Sequence, residues 1–188
     1  MYKRQVLDLA CGTGSLTCRL AERGYEMIGV DQSEEMLAVA AEKGRAVQGE
    51  KPIFLHQSMQ ELDLYGTIDA CVCCLDSVNY VTRPADLRRA FQRVHLFLMP
   101  GGVFLFDVNT PEKLRNLDGQ MFMDETDDTY CVWRAEYSAR RRICTYGMDP
   151  VSYTHLYSCL RLPQTWTALW WGCPMECAAY ISSSAPIC

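Results

Sequence analysis

A chain of 188 residues, 49% hydrophobic and 22% charged, is long enough for one domain with a full core and has the composition of a soluble globular protein. Its net charge of −5 comes without a large basic block, so nucleic acid is not the expected partner, and no apolar run is long enough to span a bilayer. Eleven cysteines are many, but only Cys71 and Cys74, and Cys173 and Cys177, lie close enough to suggest metal-ligand pairs. Core thiols in a reducing cytoplasm are the simpler reading.

The first strong element is the apolar run Val6–Leu9, interrupted only by Asp8, which reads as a buried parallel strand. It runs into Ala10-Cys11-Gly12-Thr13-Gly14, and a helical pattern opens at Ser15 and stops at Gly24. Strand, glycine turn, helix is how a mononucleotide-type site begins, although a tight turn without a ligand has the same outline. A dinucleotide loop would carry a third glycine at position 17, which is Thr17 here. A second strand, Glu26–Val30, ends at Asp31, where a carboxylate can accept from both hydroxyls of a ribose. Ser33 then caps a second helix from Glu34 to Lys43, which is expected to stop at Gly44.

Ile53–Leu55 reads as a third strand, followed by a loop that contains His56, Ser58 and Met59. Asp69–Leu75 reads as a fourth, and Asp76, Ser77, Asn79 and Tyr80 leave its C-terminal end. In open α/β sheets that end faces the ligand. Pro84 opens a long amphipathic helix to about Leu98, on which Arg88, Arg89 and Arg93 are expected to face solvent. Met99-Pro100-Gly101-Gly102 breaks it before a fifth strand, Val103–Val108. Thr110 caps a short helix, Pro111–Leu117. Tyr130–Tyr137 and Ile143–Gly147 read as a hairpin around Arg140-Arg141-Arg142, either a solvated turn or a grip for an anion. Asp124 to Asp128 reads as surface loop.

Motif by motif, the chain resembles the class I S-adenosylmethionine-dependent methyltransferases of the small-molecule type. The carriers are the strand acid Asp8, the small-x-Gly-x-Gly turn, Asp31 at the second strand tip, and the helix, Pro-Gly-Gly, strand passage. The resemblance implies an α/β fold with a doubly wound, mostly parallel Rossmann-like sheet and a C-terminal β-hairpin insertion that often serves as a lid. It implies S-adenosyl-L-methionine as cofactor, held by Asp8, Ala10, Cys11, Gly12, Thr13, Gly14, Asp31, Gln32, Met36, Ser58, Met59 and Leu75. Ala10 replaces the first glycine of the turn in the family. Ser58 stands where an acid usually accepts from the adenine amine, and an uncharged acceptor costs about 1 kcal/mol of affinity there. Met59 either covers the ring or is a plain core methionine.

The partner is expected to be a small-molecule methyl acceptor, with neither nucleic acid nor membrane. The turn after the fourth strand lacks the Asn/Asp-Pro-Pro-aromatic motif of base amino methylation, and no Pro-Cys pair is found. The acceptor atom and the oligomeric state are not encoded legibly. Asp76 and Tyr80 are the candidate catalytic residues. Two readings compete: a cofactor-binding fragment without activity, and a nicotinamide-binding domain, which lacks its third glycine. The methyltransferase-like region is expected to span residues 6–149. Both Met1–Gln5 and Val151–Leu156 resemble translated sequencing-adapter read-through. The sheet is therefore expected to be incomplete, with residues 150–188 a non-native or disordered tail.

Overall fold

The structure is a computed structural model of the chain, and it describes residues 4–125, 129–152, 166–169 and 179–182. The chain divides into two compact units, residues 1–78, 84–108 and 175–188 in one and residues 79–83 and 109–174 in the other. The first holds β1 (Gln5–Leu9), α1 (Ser15–Glu22), β2 (Glu26–Asp31), α2 (Glu34–Ala46), β3 (Ile53–His56), β4 (Ile68–Cys73), α3 (Pro84–Phe97) and β5 (Leu98–Phe106). These five strands are parallel in the order β5-β4-β1-β2-β3. The chain winds outward from β1 to β2 and β3, then crosses back to β4 and β5. The reversal point therefore lies beside β1, where open sheets bind ligands.

Alternation along β1 builds both faces of the sheet. Leu7 and Leu9 enter one core with Val30, Ile68, Cys71, Cys73, Val94 and Phe104. Val6 enters the other, with Cys18, Ala21, Met27 and Val47. On the first face Phe91 of α3 packs edge-on to Phe104, with ring centroids 5.5 Å apart. Helices on both faces make the sheet doubly wound, as expected.

Three local expectations are corrected. The second helix passes through Gly44 and continues to Ala46, with Gly44 buried. A Cβ there would lie 2.9 Å from Phe54 Cε2, so this glycine makes room for a ring rather than ending a helix. The Pro-Gly-Gly turn does not precede the fifth strand but lies inside it, at a register shift between Ile68 and Ala70 on β4. Gly101 has φ +82°, and a Cβ on Gly102 would lie 2.9 Å from the Met99 carbonyl oxygen. Arg93 is not a solvated residue. Its Nε donates to the Leu62 carbonyl at 2.5 Å, its Nη2 reaches Asp63 Oδ1 at 3.0 Å, and its guanidinium lies 5.3 Å from the Phe97 ring centre.

The second unit holds α4 (Pro111–Asn116), β6 (Met121–Glu125), β7 (Thr129–Ser138), β8 (Ile143–Ser152) and β9 (Trp166–Leu169). Thr110 Oγ1 accepts from the Lys113 N–H at 3.2 Å, the expected cap. The strands form an antiparallel sheet in the order β6-β7-β8-β9. Leu114, Ala135 and Cys144 are its small core. Arg140, Arg141 and Arg142 are exposed at the turn between β7 and β8. Asp124 and Glu125 correct a further expectation, since they belong to strand β6 and pair with Cys131 and Tyr130 of β7.

The chain returns to the first sheet as β10 (Ala179–Ser182), antiparallel to β5. The edge beside β5 that the sequence leaves open is thus paired along four residues. The remaining stretches of the tail, with residues 1–3, lie outside the described residues, and so do Cys173 and Cys177.

Candidate active site

The turn after β1 is built from left-handed residues. Ala10, Gly12 and Gly14 have φ of 61°, 53° and 70°. The two glycines do different work. A Cβ on Gly14 would lie 2.8 Å from the Ala40 Cβ and 3.0 Å from the Phe54 ring, so Gly14 packs inward. Around Gly12 nothing comes within 4 Å of an ideal Cβ, so its face is open to a ligand. Cys11 N–H donates to the Val30 carbonyl at 3.0 Å and fixes the turn to β2. Lys43 Nζ donates to Thr13 Oγ1 at 2.9 Å and Ser15 Oγ at 3.0 Å, which ties it to α2. Burial and the neighbouring Asp8 carboxyl push the Cys11 thiol up to about 12, so it stays protonated at neutral pH.

Asp31 sits at the tip of β2. Its Oδ2 accepts from the Gly12 N–H at 2.8 Å, and its Oδ1 from the Ser33 N–H at 2.9 Å. One carboxylate therefore orients both the glycine turn and the start of α2, which Ser33 Oγ caps by accepting from the Met36 N–H at 3.2 Å. Each carboxylate oxygen still has a lone pair for a diol.

Beneath the turn, Asp8 is 3% exposed and Thr17 is fully buried. Thr17 Oγ1 donates to Asp8 Oδ2 at 2.5 Å. The residue in place of a third glycine is thus the partner of the strand acid, a pairing nine residues apart that spacing alone does not reveal. Burial raises the Asp8 carboxyl above its usual value, against the Thr17 hydrogen bond. The native state then holds this proton more tightly than the unfolded chain. The associated stability is greatest below the unfolded value of 3.8 and falls as pH rises through the raised native value. Asp8→Asn keeps an acceptor for Thr17 without the charge. It should raise the melting temperature at pH 7 and flatten its decline between pH 4 and 7, which thermal unfolding across pH measures.

The tips of β2 and β3 are linked. The His56 Nε2 donates to the Gln32 carbonyl at 2.9 Å, so Gln32 meets the site edge through its backbone. Gln57 closes the following loop with both ends of its carboxamide: Oε1 accepts from the Asp63 N–H at 2.9 Å, and Nε2 donates to the Asp63 carbonyl at 3.1 Å. Within that loop Ser58 Oγ donates to Glu61 Oε2 at 2.9 Å. Met59 is partly buried and packs against the main core, which favours the plain reading of this residue. Met36 is 44% exposed on the first turn of α2.

At the tip of β4, Leu75 and Asp76 have φ of 60° and 48°. Two consecutive non-glycine residues in this region cost about 1–2 kcal/mol each. Asp107, just past β5, holds the turn by accepting from the Asp76 N–H at 2.8 Å, and Ser77 Oγ donates to the Cys74 carbonyl at 2.8 Å. Leu75 is 82% exposed. Sequence reasoning missed Asp107, although an acid just past the end of a parallel strand was a signal. Asn79 and Tyr80 belong to the second unit. Asn79 is 4% exposed, and its Oδ1 accepts from the Asn109 N–H at 2.9 Å, so it does not stand open to a substrate. Tyr80 is 40% exposed.

In the first unit the ends of β1 to β4 thus gather Gly12, Asp31, Gln32, the Ser58–Glu61 loop, Leu75 and Asp76. The Asp31 carboxylate is bonded to the Gly12 N–H, and the loop with Ser58 is tied to Asp31 through the Gln57 N–H, which donates to the Asp31 carbonyl at 3.0 Å. No cluster of three or more His, Cys, Asp or Glu positioned to hold a metal is found among the described residues.

Comparison with known proteins follows the same outline. Residues 6–102 match the model of a family described as "methyltransferase domain". The chain is 41% identical over 136 residues to YqeM of Bacillus subtilis, named a methyltransferase by inference, covering 71% of this chain and 54% of that protein. It is 37% identical over 115 residues to the ubiquinone biosynthesis O-methyltransferase of Pseudomonas aeruginosa, covering 58% of this chain and 47% of that protein. The chain therefore spans about half the length of these curated relatives. The crystal structure of an S-adenosylmethionine-dependent methyltransferase from Clostridium acetobutylicum superposes with a TM-score of 0.73 at 28% identity, over 97% of this chain and 68% of that one.

Proposed function

From the premise that the chain belongs to the class I S-adenosylmethionine-dependent methyltransferases, we propose that it binds S-adenosylmethionine across the ends of β1 to β4 and moves the methyl group to a small-molecule acceptor. The observation that carries this reading is Asp31, whose two carboxylate oxygens each hold one backbone N–H, one of them that of Gly12, around whose ideal Cβ nothing lies within 4 Å. The residues fit the cofactor by that test: a Cβ at Gly12 would fill the space a ligand backbone needs, and the acid beside it suits a ribose diol.

S-Adenosylmethionine supplies an activated methyl on a sulfonium, ready for in-line displacement. What remains for the protein is orientation and exclusion of water. Asp31 grips the ribose. The Gly12–Gly14 turn, stiffened by Lys43, accepts close approach of the methionine part. Asp8 lies beneath the turn and is held by Thr17, and Cys11 stays a thiol and does not compete as a nucleophile. The loop that contains Ser58 and Met59 would border the adenine, and Leu75 and Asp76 would border the methyl. Asp76 and Tyr80 are the groups proposed to assist an acceptor that must lose a proton.

Similar proteins are named for O-methylation in ubiquinone biosynthesis and for N-methylation of glycine and sarcosine, which supports a small-molecule acceptor and leaves its reacting atom to the test. Incubation of the chain with methyl-labelled S-adenosylmethionine and separate pools of phenols, amino acids and amino sugars tests the reading. Transfer of label to one pool, with matching release of S-adenosylhomocysteine, is expected. Tight cofactor binding with no transfer to any pool would favour the inactive fragment.

A further inference from the structure

We infer that Glu61 makes the Ser58 hydroxyl a selective acceptor and so sets the preference of the site for an amino-purine over an oxo-purine ring. The inference rests on the cofactor reading above and deepens it.

A serine hydroxyl is ambivalent, one donor and two acceptor sites, and by itself does not tell an amine from a carbonyl. Here its one proton is committed. Ser58 Oγ donates to Glu61 Oε2 at 2.9 Å, and the backbone closes the same turn, Glu61 N–H to the Ser58 carbonyl at 3.0 Å. The Ser58 oxygen is left with lone pairs only. The exocyclic amine of adenine can donate to it. The 6-oxo group of hypoxanthine is an acceptor and finds no proton there.

The partners are held in register. Gln57 pairs its carboxamide with both backbone groups of Asp63, and Arg93 binds the Leu62 carbonyl and the Asp63 carboxylate, so the loop is pinned on both sides of the pair. Leu62 is fully buried behind it. The same strand end fixes the neighbouring grip, since Gln57 N–H donates to the Asp31 carbonyl at 3.0 Å. Ser58 is half-buried and Glu61 exposed, so Glu61 reaches the site through the hydroxyl. Glu61 is a positioning residue.

Isothermal titration of the 188-residue chain with S-adenosylhomocysteine and with S-inosylhomocysteine tests this, because the two differ at the ring 6-position, amine against oxo, and in the N1 proton that accompanies the oxo form. A substitution at the Ser58–Glu61 pair acts on the first difference and leaves the second unchanged. The wild-type chain should prefer the adenosyl compound by at least tenfold. Glu61→Ala frees the hydroxyl to rotate and donate, so the preference should fall to threefold or less, chiefly by tighter binding of the inosyl compound. Ser58→Ala should weaken the adenosyl compound and lower the preference at least threefold. A merely structural role for Glu61 would weaken both ligands equally and leave the ratio unchanged. An unchanged ratio in Glu61→Ala, with the adenosyl compound still bound, overturns the inference and leaves the cofactor reading intact. Failure of the wild-type chain to bind S-adenosylhomocysteine overturns the cofactor reading, and the inference with it.

Discussion

Asp31→Ala is expected to weaken S-adenosylmethionine binding by at least one hundredfold and to lower the stability of the free protein by about 2 kcal/mol. The first effect is that of two charge-assisted hydrogen bonds to a ribose diol, each about 1.5–3 kcal/mol when well formed. The second follows from the geometry. The carboxylate also accepts from the Gly12 and Ser33 N–H groups, so its removal leaves the turn and the start of α2 without their common anchor. A residue chosen from sequence as a ligand alone would be removable without structural cost. Its place at a strand tip suggests as much, and the two backbone bonds argue otherwise. Asp31→Asn separates the effects. Its single carbonyl oxygen can keep one N–H partner, so stability should recover in part while binding stays poor. Titration calorimetry gives the first quantity and thermal unfolding the second. Unchanged affinity in Asp31→Ala would remove the diol grip from this site.

Gly29→Ala should change sign with its background. In the native protein an added Cβ at Gly29, in the middle of β2, would lie 2.7 Å from Phe54 Cδ1 and 3.0 Å from Cys11 Sγ. Overpacking of this kind costs about 1–3 kcal/mol. Phe54→Ala alone empties the same space and should cost about 2–4 kcal/mol. In the Phe54→Ala background the new methyl enters a void, and alanine is intrinsically better than glycine in a strand by about 0.5–1 kcal/mol. Gly29→Ala should therefore stabilise that background. The reversal follows from the way Gly14, Gly29 and Gly44 all make room for the same ring: an ideal Cβ on any of them would come within 3.0 Å of it. Phe54 thus couples β3, the glycine turn and α2. Chemical denaturation of the four proteins of the cycle measures the coupling. Additive costs would mean that the ring does not fill the space between these glycines.

The legible parts of this molecule are those whose cause is local in sequence. The strand from Val6, the turn at Gly12 and Gly14, the Ser33 cap and the Thr110 cap each depend on residues within four positions of one another, and each is found where the pattern puts it. The position of Asp31 at the end of β2 was legible in the same way, whereas its bonds to the Gly12 and Ser33 N–H groups were not. The misread parts all depend on a distant partner. Gly44 looked like a helix end until Phe54 was seen against it. Arg93 looked solvated, because its partners Leu62 and Asp63 lie thirty residues earlier. Asp107 gained a role only when β5 was laid beside β4 and its carboxylate met the Asp76 N–H. Thr17 was noted as a missing glycine, whereas the fold uses it as the buried partner of Asp8. The acceptor was not legible at all. Its contacts depend on side chains at strand ends, where this chain supplies no motif with a single chemical meaning.

The central claim is that the ends of β1 to β4 form an S-adenosylmethionine site. Titration calorimetry of the 188-residue chain with S-adenosylmethionine and, separately, with NAD tests it most directly. The account predicts one S-adenosylmethionine site of micromolar affinity, lost in Asp31→Ala, and no heat from NAD. Binding of NAD, or of neither compound, would contradict it.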